Sequence, residues 1–233
     1  MTPRRPRRPH PRRLLAWLLL VAGCAVLVAA GTTYVGAGRE TAAAQQRLAG
    51  QLPAGPRVVS DDDHGPVPVA RSVATGRALA EIRVPRLGAD WSWVAVEGTD
   101  DAQLATGPGH YTGTPLPGAR GNSAFAGHRA GHGDPFLDFD TLRRGDEVVI
   151  TQGSVRWTYR LTRDPEVVPV DATWVLDPTP GRRLTLTTCW PRYGSSKRMW
   201  VRGTLERVER QPGALAAASS AGDRAEVWPT GSR

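Results

Sequence analysis

Between Leu14 and Gly38 the chain carries no charged side chain, and the 13 residues before this run hold six arginines and no acid. No other feature constrains the chain as strongly, because backbone polar groups inside a bilayer must pair within their own segment, which a helix allows. Leu14 to Tyr34 is 21 residues. At about 1.5 Å per residue that length crosses a hydrocarbon core of about 30 Å. Residues 14–38 are therefore read as one transmembrane anchor, and residues 1–13 as a cytoplasmic basic segment. Positive charge is retained inside, so everything after Gly38 is expected outside the cytoplasm, on a single-pass protein of the cell membrane. Two other readings stay open. Ala29, Ala30 and Gly31 offer a place for signal-peptide cleavage, although an ordinary h-region is only about 7–15 residues long. Val21-Ala22-Gly23-Cys24 loosely resembles a lipobox, but the sequence remains apolar beyond Cys24.

The anchor also accounts for the charge. A formal +8 with a pI near 10.6 invites a nucleic-acid reading. Residues 79–210, however, hold 17 Lys and Arg against 16 Asp and Glu, a net of +1. The excess sits beside the apolar run and lacks interleaved aromatic residues on which bases would stack, so no nucleic-acid partner is expected.

Residues 39–78 are rich in Ala, Gly and Pro, contain Asp61-Asp62-Asp63 and show no sustained apolar period. They read as a flexible extracytoplasmic linker. Its start, Arg39 to Leu48, has the composition to prolong the helix until Pro53 and Pro56 stop it. Residues 211–233 read as a disordered tail in which Trp228 is the one large anchor. Between them, 79–210 is a series of short strand-like stretches: Leu79–Val84, Trp91–Val96, Asn122–Ala126, Glu147–Thr151, Val155–Thr162, Leu184–Thr188 and Trp200–Glu206. In Val155 to Leu161 apolar and polar residues alternate, as a strand with one wet face requires. Strands at this density, joined by turns such as Arg144-Gly145-Asp146, predict a mostly antiparallel barrel or sandwich. Short helical turns are expected at Asp100–Ala105 and Pro135–Leu142.

The chain has two cysteines, Cys24 in the apolar run and Cys189 far beyond it, so they are poorly placed to pair. An unpaired thiol in an extracytoplasmic domain is either reactive or a buried small hydrophobe. Cys189 ends the strand-like run Leu184–Thr188, and Pro191 then forces the chain out of its ladder. Among the histidines, His10 lies before the anchor and His64 in the linker, which leaves His110, His128 and His132 in glycine-rich loops. His128 follows Ala124-Phe125-Ala126-Gly127 and so sits at a strand end. A hairpin over Trp190 to Lys197 would return Arg198 beside Cys189. Thiolate, imidazole and guanidinium together suit acyl transfer: nucleophile, acid for a leaving amine, and donor to a developing oxyanion. Free thiols and imidazoles titrate near 8.5 and 6.5, so their charged pair is a minor form of about one per cent and slow turnover is expected. His132 in place of His128, and a merely solvated Arg198, remain open from spacing alone. No paired ligand spacing suggests a metal and no Gly-rich loop with Lys-Ser/Thr offers a phosphate cradle, so no cofactor is expected.

At these residues the chain resembles the sortase family, over about Leu79 to Glu206. Ile82-Arg83-Val84-Pro85-Arg86-Leu87-Gly88 is similar to the opening strand. Gly107-Pro108-Gly109-His110-Tyr111 and Gly121 to Arg129 are similar to the segment ending in the catalytic histidine, and Thr185-Leu186-Thr187-Thr188-Cys189 matches the TLxTC motif. The resemblance implies a mostly all-β fold, an eight-stranded barrel with short helices. It implies cleavage of an LPxTG-like sorting signal between Thr and Gly, with Cys189 forming a thioacyl intermediate, His128 as acid and base, and Arg198 holding the substrate carbonyl. Thr188, Trp190 and His110 would support substrate binding or the transition state. The implied partners are secreted proteins bearing sorting signals and an amine of a peptidoglycan precursor such as lipid II. The TLTTC form and the Gly-His-Tyr segment resemble class E, the housekeeping-type enzymes of actinobacteria, which favour LAxTG-like signals. The alternatives are a non-catalytic, membrane-tethered envelope binding protein on the same barrel, and a pilin-polymerising sortase, which would usually carry a lid and often a second membrane segment.

Overall fold

The structure, a computed structural model, describes residues 11–61, 65–210 and 227–228. Most of the basic segment with His10, residues 62–64 with His64, and all of the tail except Val227 and Trp228 lie outside these described residues.

Helix α1 runs unbroken from Pro11 to Ala49. Its large apolar side chains from Leu15 to Val28 are exposed, Leu18 by 66% and Leu27 by 74%, which suits a helix surrounded by lipid. The helix is long and apolar enough to cross a membrane. Beyond the apolar run it acquires a buried stripe: Thr41, Ala44 and Leu48 are spaced by three and four residues and so share one face. Leu48 packs with Ala78, Val94 and Val96. Gln45 replaces a neighbouring strand for Val94, accepting from its N–H (2.7 Å) and donating to its carbonyl (2.9 Å) while also donating to the carbonyl of Thr106 (2.7 Å).

Strands follow as β1 (Arg57–Asp61), β2 (Gly65–Val69), β3 (Ala78–Arg83), β4 (Ser92–Glu97), β5 (Gly109–His110), β6 (Gly121–Ala126), β7 (Glu147–Gln152), β8 (Val155–Leu161), β9 (Glu166–Pro169), β10 (Arg182–Trp190), β11 (Lys197–Arg210) and β12 (Val227–Trp228). A single helical turn, α2, covers Asp101–Leu104, and a 3-10 turn covers Phe139–Thr141. Neighbour pairing runs β10-β6-β5-β4-β3-β7-β8-β11, and β11 pairs back with β10. This ring is the eight-stranded closed barrel. Closure leaves the eight strands without a free barrel edge. Pairs β4–β5 and β6–β10 are parallel; the other barrel pairs are antiparallel. The alternation in β8 turns Val155, Trp157, Tyr159 and Leu161 into the core, where they meet Phe125, Ile150, Leu184 and Leu186.

All seven expected strand stretches are present, and both expected helical turns form within their ranges. Where a flexible linker is expected over 39–78, the chain is instead built into the fold at both ends. Helix α1 occupies it as far as Ala49, β1 and β2 form a hairpin, and Val67, Val69 and Ala70 are buried. Trp157 donates from Nε1 to the carbonyl of Pro68 (2.9 Å), and the Gln152 side chain exchanges hydrogen bonds with the backbone of Arg71 (2.6 and 3.1 Å). Within the tail, Trp228 pairs with Val208 through the backbone of β12.

Gly118 lies where the end of the β1–β2 hairpin meets the core. Its N–H donates to the Tyr159 hydroxyl (2.8 Å) and its φ is +86°. A Cβ there would lie 2.5 Å from the Pro68 carbonyl oxygen and closer still to Trp157 Nε1. Gly118→Ala is expected to destabilise the protein by about 2–3 kcal/mol, since it meets both a left-handed backbone and immovable neighbours. Urea unfolding followed by tryptophan fluorescence measures this, and a loss under about 0.5 kcal/mol would contradict the packing described.

Candidate functional site

Three adjacent strands bring the sequence-derived residues together. In the parallel pair, Leu186 faces Phe125 and Thr187 faces Ala126. The pairing continues past the end of β6, because Gly127 donates its N–H to the Thr187 carbonyl (3.2 Å) and Thr188 donates its hydroxyl to the Gly127 carbonyl (2.8 Å). His128 and Cys189 are the next residues along the two segments joined in this way. On the other side of β10, Cys189 is the direct antiparallel partner of Arg198. Leu184 and Leu186 point into the core, so alternation puts Thr185, Thr187 and Cys189 on the opposite face. Cys189 is partly exposed and unpaired.

Each group has a distinct mount. Gly127 has no room for a side chain, since a Cβ would lie 2.6 Å from the Phe136 ring. Phe136 in turn stacks on Trp91 at 5.8 Å, and its N–H donates to the His128 carbonyl (3.0 Å), closing the loop from 128 to 136. The His132 ring stacks on that of His128, with centroids 4.8 Å apart and planes 26° from parallel. Burial is the main cause that pushes the His128 imidazole below its ordinary pKa; charge on His132 acts the same way, and Asp101 opposes both. Arg198 donates from Nη1 to the carbonyls of Ser195 (3.0 Å) and Lys197 (3.1 Å), which uses one of its three nitrogens.

Thr188 is buried and its hydroxyl is committed to Gly127, so its contribution is to stitch β10 to the base of the His128 loop. Trp190 is half-buried beneath Arg129, whose guanidinium carbon lies 4.7 Å from the indole centroid. His110 departs from the supporting role at the substrate that the resemblance implies. It is 1% exposed, its Nδ1 meets Glu97 Oε2 (2.9 Å), and its Nε2 meets the Thr114 hydroxyl (3.1 Å) and the Pro115 carbonyl (3.2 Å). With both nitrogens engaged and its ring edge on Phe125, His110 is a core residue beneath the site.

Two residues escape a reading of the sequence. Arg129, 1% exposed, pairs with Asp140 (2.8 Å) while supporting Trp190; its place directly after His128 is its only sequence signal. Tyr34, which closes the apolar run, donates its hydroxyl to Asp134 in the His128 loop, and nothing in local pattern links positions a hundred residues apart.

Comparison with known proteins identifies the family of the barrel. A sortase-domain family model matches residues 82–206, more than half of the chain. Sortase SrtE1 of Streptomyces coelicolor is 33% identical over 156 residues, 60% of this chain and 43% of that protein; the chain thus spans about two fifths of its length. Sortase D of Bacillus subtilis is 29% identical over 50% of this chain and 57% of its own. Among solved structures, sortase E of Streptomyces avermitilis is 38% identical with a TM-score of 0.56, covering 64% of this chain and 97% of that one. Sortase E1 of S. coelicolor with a tripeptide in its active site is 30% identical with a TM-score of 0.55, covering 64% and 98%. With the barrel, the TLTTC strand and the strand-end histidine in their places, this chain belongs to the sortase family and resembles its class E members.

Proposed function

We propose that the chain is a membrane-anchored cysteine transpeptidase that cleaves an LAxTG- or LPxTG-like sorting signal between Thr and Gly and transfers the protein to an amine of a cell-wall precursor. One observation supports the reading: Cys189 is the strand partner of Arg198, and the two residues before Cys189 are hydrogen-bonded to Gly127, which immediately precedes His128. In the first half-reaction the Cys189 sulfur attacks the threonine carbonyl carbon. The C–N bond to glycine breaks, and His128 gives its proton to the departing amine. Arg198 donates to the carbonyl oxygen as negative charge develops on it. In the second half, an incoming amine attacks the thioester, gives a proton to His128 and displaces Cys189 as thiolate. Helix α1 holds the barrel outside the cytoplasm, next to membrane-borne acceptors such as a lipid II-like amine.

Intact mass of the full chain in detergent, mixed with LAxTG and LPxTG peptides, tests the first half. An adduct on Cys189 that is absent in Cys189→Ala and becomes an amide product with added amine is expected, with LAxTG the better substrate. Folded protein whose Cys189 alkylates but forms no adduct would instead favour an envelope binding protein.

The depressed His128 affinity for protons sets the pH dependence. A histidine whose pKa is lowered becomes protonated only at lower pH, so the acid limb of kcat/KM for acylation should lie below the free value of about 6.5. His132→Ala removes one of the two depressing influences, and the limb is expected to move upward. An acid limb at or above the free histidine value in the unaltered protein contradicts the assignment of that limb to His128.

A further inference from the structure

The loop that carries His128 contains a backbone arrangement that does not hold itself. Four consecutive residues, Gly131, His132, Gly133 and Asp134, have φ of +86°, +52°, +76° and +56°. Two of them are not glycine, and left-handed backbone at such residues persists only when surrounding contacts impose it. Within the loop, Asp134 donates its N–H to the Gly131 carbonyl (3.0 Å) and receives the Gly131 N–H on Oδ1 (2.6 Å). Gly133 fits closely against Trp93, where a Cβ would lie 2.7 Å from Cη2. The same carboxylate has one partner from far away in the chain. The Tyr34 hydroxyl of α1 donates to it, at 2.7 Å from Oδ1 and 2.6 Å from Oδ2. The product of the turn is the His132 ring laid on His128.

We propose that Tyr34, at the outer end of the apolar helix, is a positioning residue for His128: its hydroxyl fixes Asp134, Asp134 closes the left-handed turn, and the turn holds His132 against the His128 ring. The anchoring helix is thereby a structural part of the reacting site. A tyrosine suits the place, because its ring is at home where hydrocarbon gives way to headgroups and its hydroxyl reaches the wet side. The helix is fixed where it does this, since Thr41 donates to the Ala105 carbonyl (2.8 Å) and Gln45 is bound to β4, so Tyr34 is presented to Asp134 at a set height. The inference rests on the reading of Cys189 and His128 as the reacting pair.

The test uses the full chain in lipid nanodiscs, with Tyr34→Phe, Asp134→Ala and the double variant. Acylation by an LAxTG peptide is measured from about pH 5 to 9, a range that brackets histidine titration. Amide hydrogen exchange is read at Gly131, Asp134 and Phe136. Tyr34→Phe is expected to lower kcat/KM about tenfold, as loss of a held geometry does, and to move the acid limb upward as His132 and burial leave His128. Besides His132, the charged group that bears on His128 is Asp101 from α2; it is left unaltered, as are Cys189 and Arg198 on the paired strands β10 and β11, so the movement reports the turn. Exchange at the three amides should quicken about tenfold, and Tyr34→Phe should add nothing once Asp134 is Ala. Unchanged exchange and an unchanged pH profile in Tyr34→Phe overturn the proposal, whether or not the rate falls. Absence of acylation in the unaltered protein would count against the enzymatic reading, while exchange at the turn still decides whether Tyr34 holds it.

Discussion

The parallel pairing of β6 with β10 is the contact on which the rest of the site depends. These strands are separated by more than fifty residues of sequence, and no hairpin turn sets their register. The register is set by what each strand buries: Phe125 and Leu186 face one another in the core, and a slip of one residue would turn the buried set of the slipped strand outward. Asn122 and Thr185 strengthen the join with a buried side-chain hydrogen bond of 2.7 Å, and Tyr111 meets the Thr187 hydroxyl at 3.0 Å on the outer side. Thr188 and Gly127 then carry the pairing beyond the formal strand end, up to the residues that immediately precede His128 and Cys189. The second join, between β10 and β11, is local, and the hairpin loop needs only to return the chain on itself.

Much of this was legible in the sequence because the barrel strands that matter are regular and punctuated. Alternation in β8, the Thr-rich run ending at Cys189 and the Gly-Pro breaks located seven strands and the positions of Cys189, His128 and Arg198. What escaped was either very short or long-range. β5 is two residues, and β9 is four residues with a proline at its end, so neither has enough length to show a period. The β1–β2 hairpin contains two prolines in Gly65-Pro66-Val67-Pro68-Val69, a pattern that argues against a strand unless it lies outside a larger sheet, as it does here. His110 looked like a site residue because a histidine among glycines suggests an open loop. Its partners, Glu97 and Thr114, are ordinary surface types whose burial only the fold decides.

β11 shows how one long element serves several purposes. Its 14 residues pair with β10 and β9 at the Arg198 end and with β8 and β12 at the other, with a register irregularity between Leu205 and Arg207. Met199, Val201 and Leu205 line the barrel, while Trp200 faces outward into a satellite cluster with Val168 and Val175. There the Trp200 ring lies against Trp174 edge-on at 5.2 Å, with the guanidiniums of Arg163 and Arg202 at 4.1 and 5.0 Å. The outer packing stiffens the strand just beyond Arg198, so the guanidinium is borne by a strand covered on both faces.

The unbroken course of α1 into the barrel changes what kind of search the protein performs. A disordered stretch of the length from Arg39 to Ala78 would have a root-mean-square span of about 35 Å, letting the barrel roam through a shell of that depth. A helix rises about 1.5 Å per residue. Thr41, the first buried residue of its docked face, therefore stands about 10 Å beyond Tyr34. With the apolar run in a bilayer, the docked face of the barrel stays close to the membrane surface and moves as the helix moves, by lateral diffusion and rotation. Encounters with any membrane-borne partner are then collisions in two dimensions rather than a search through a volume.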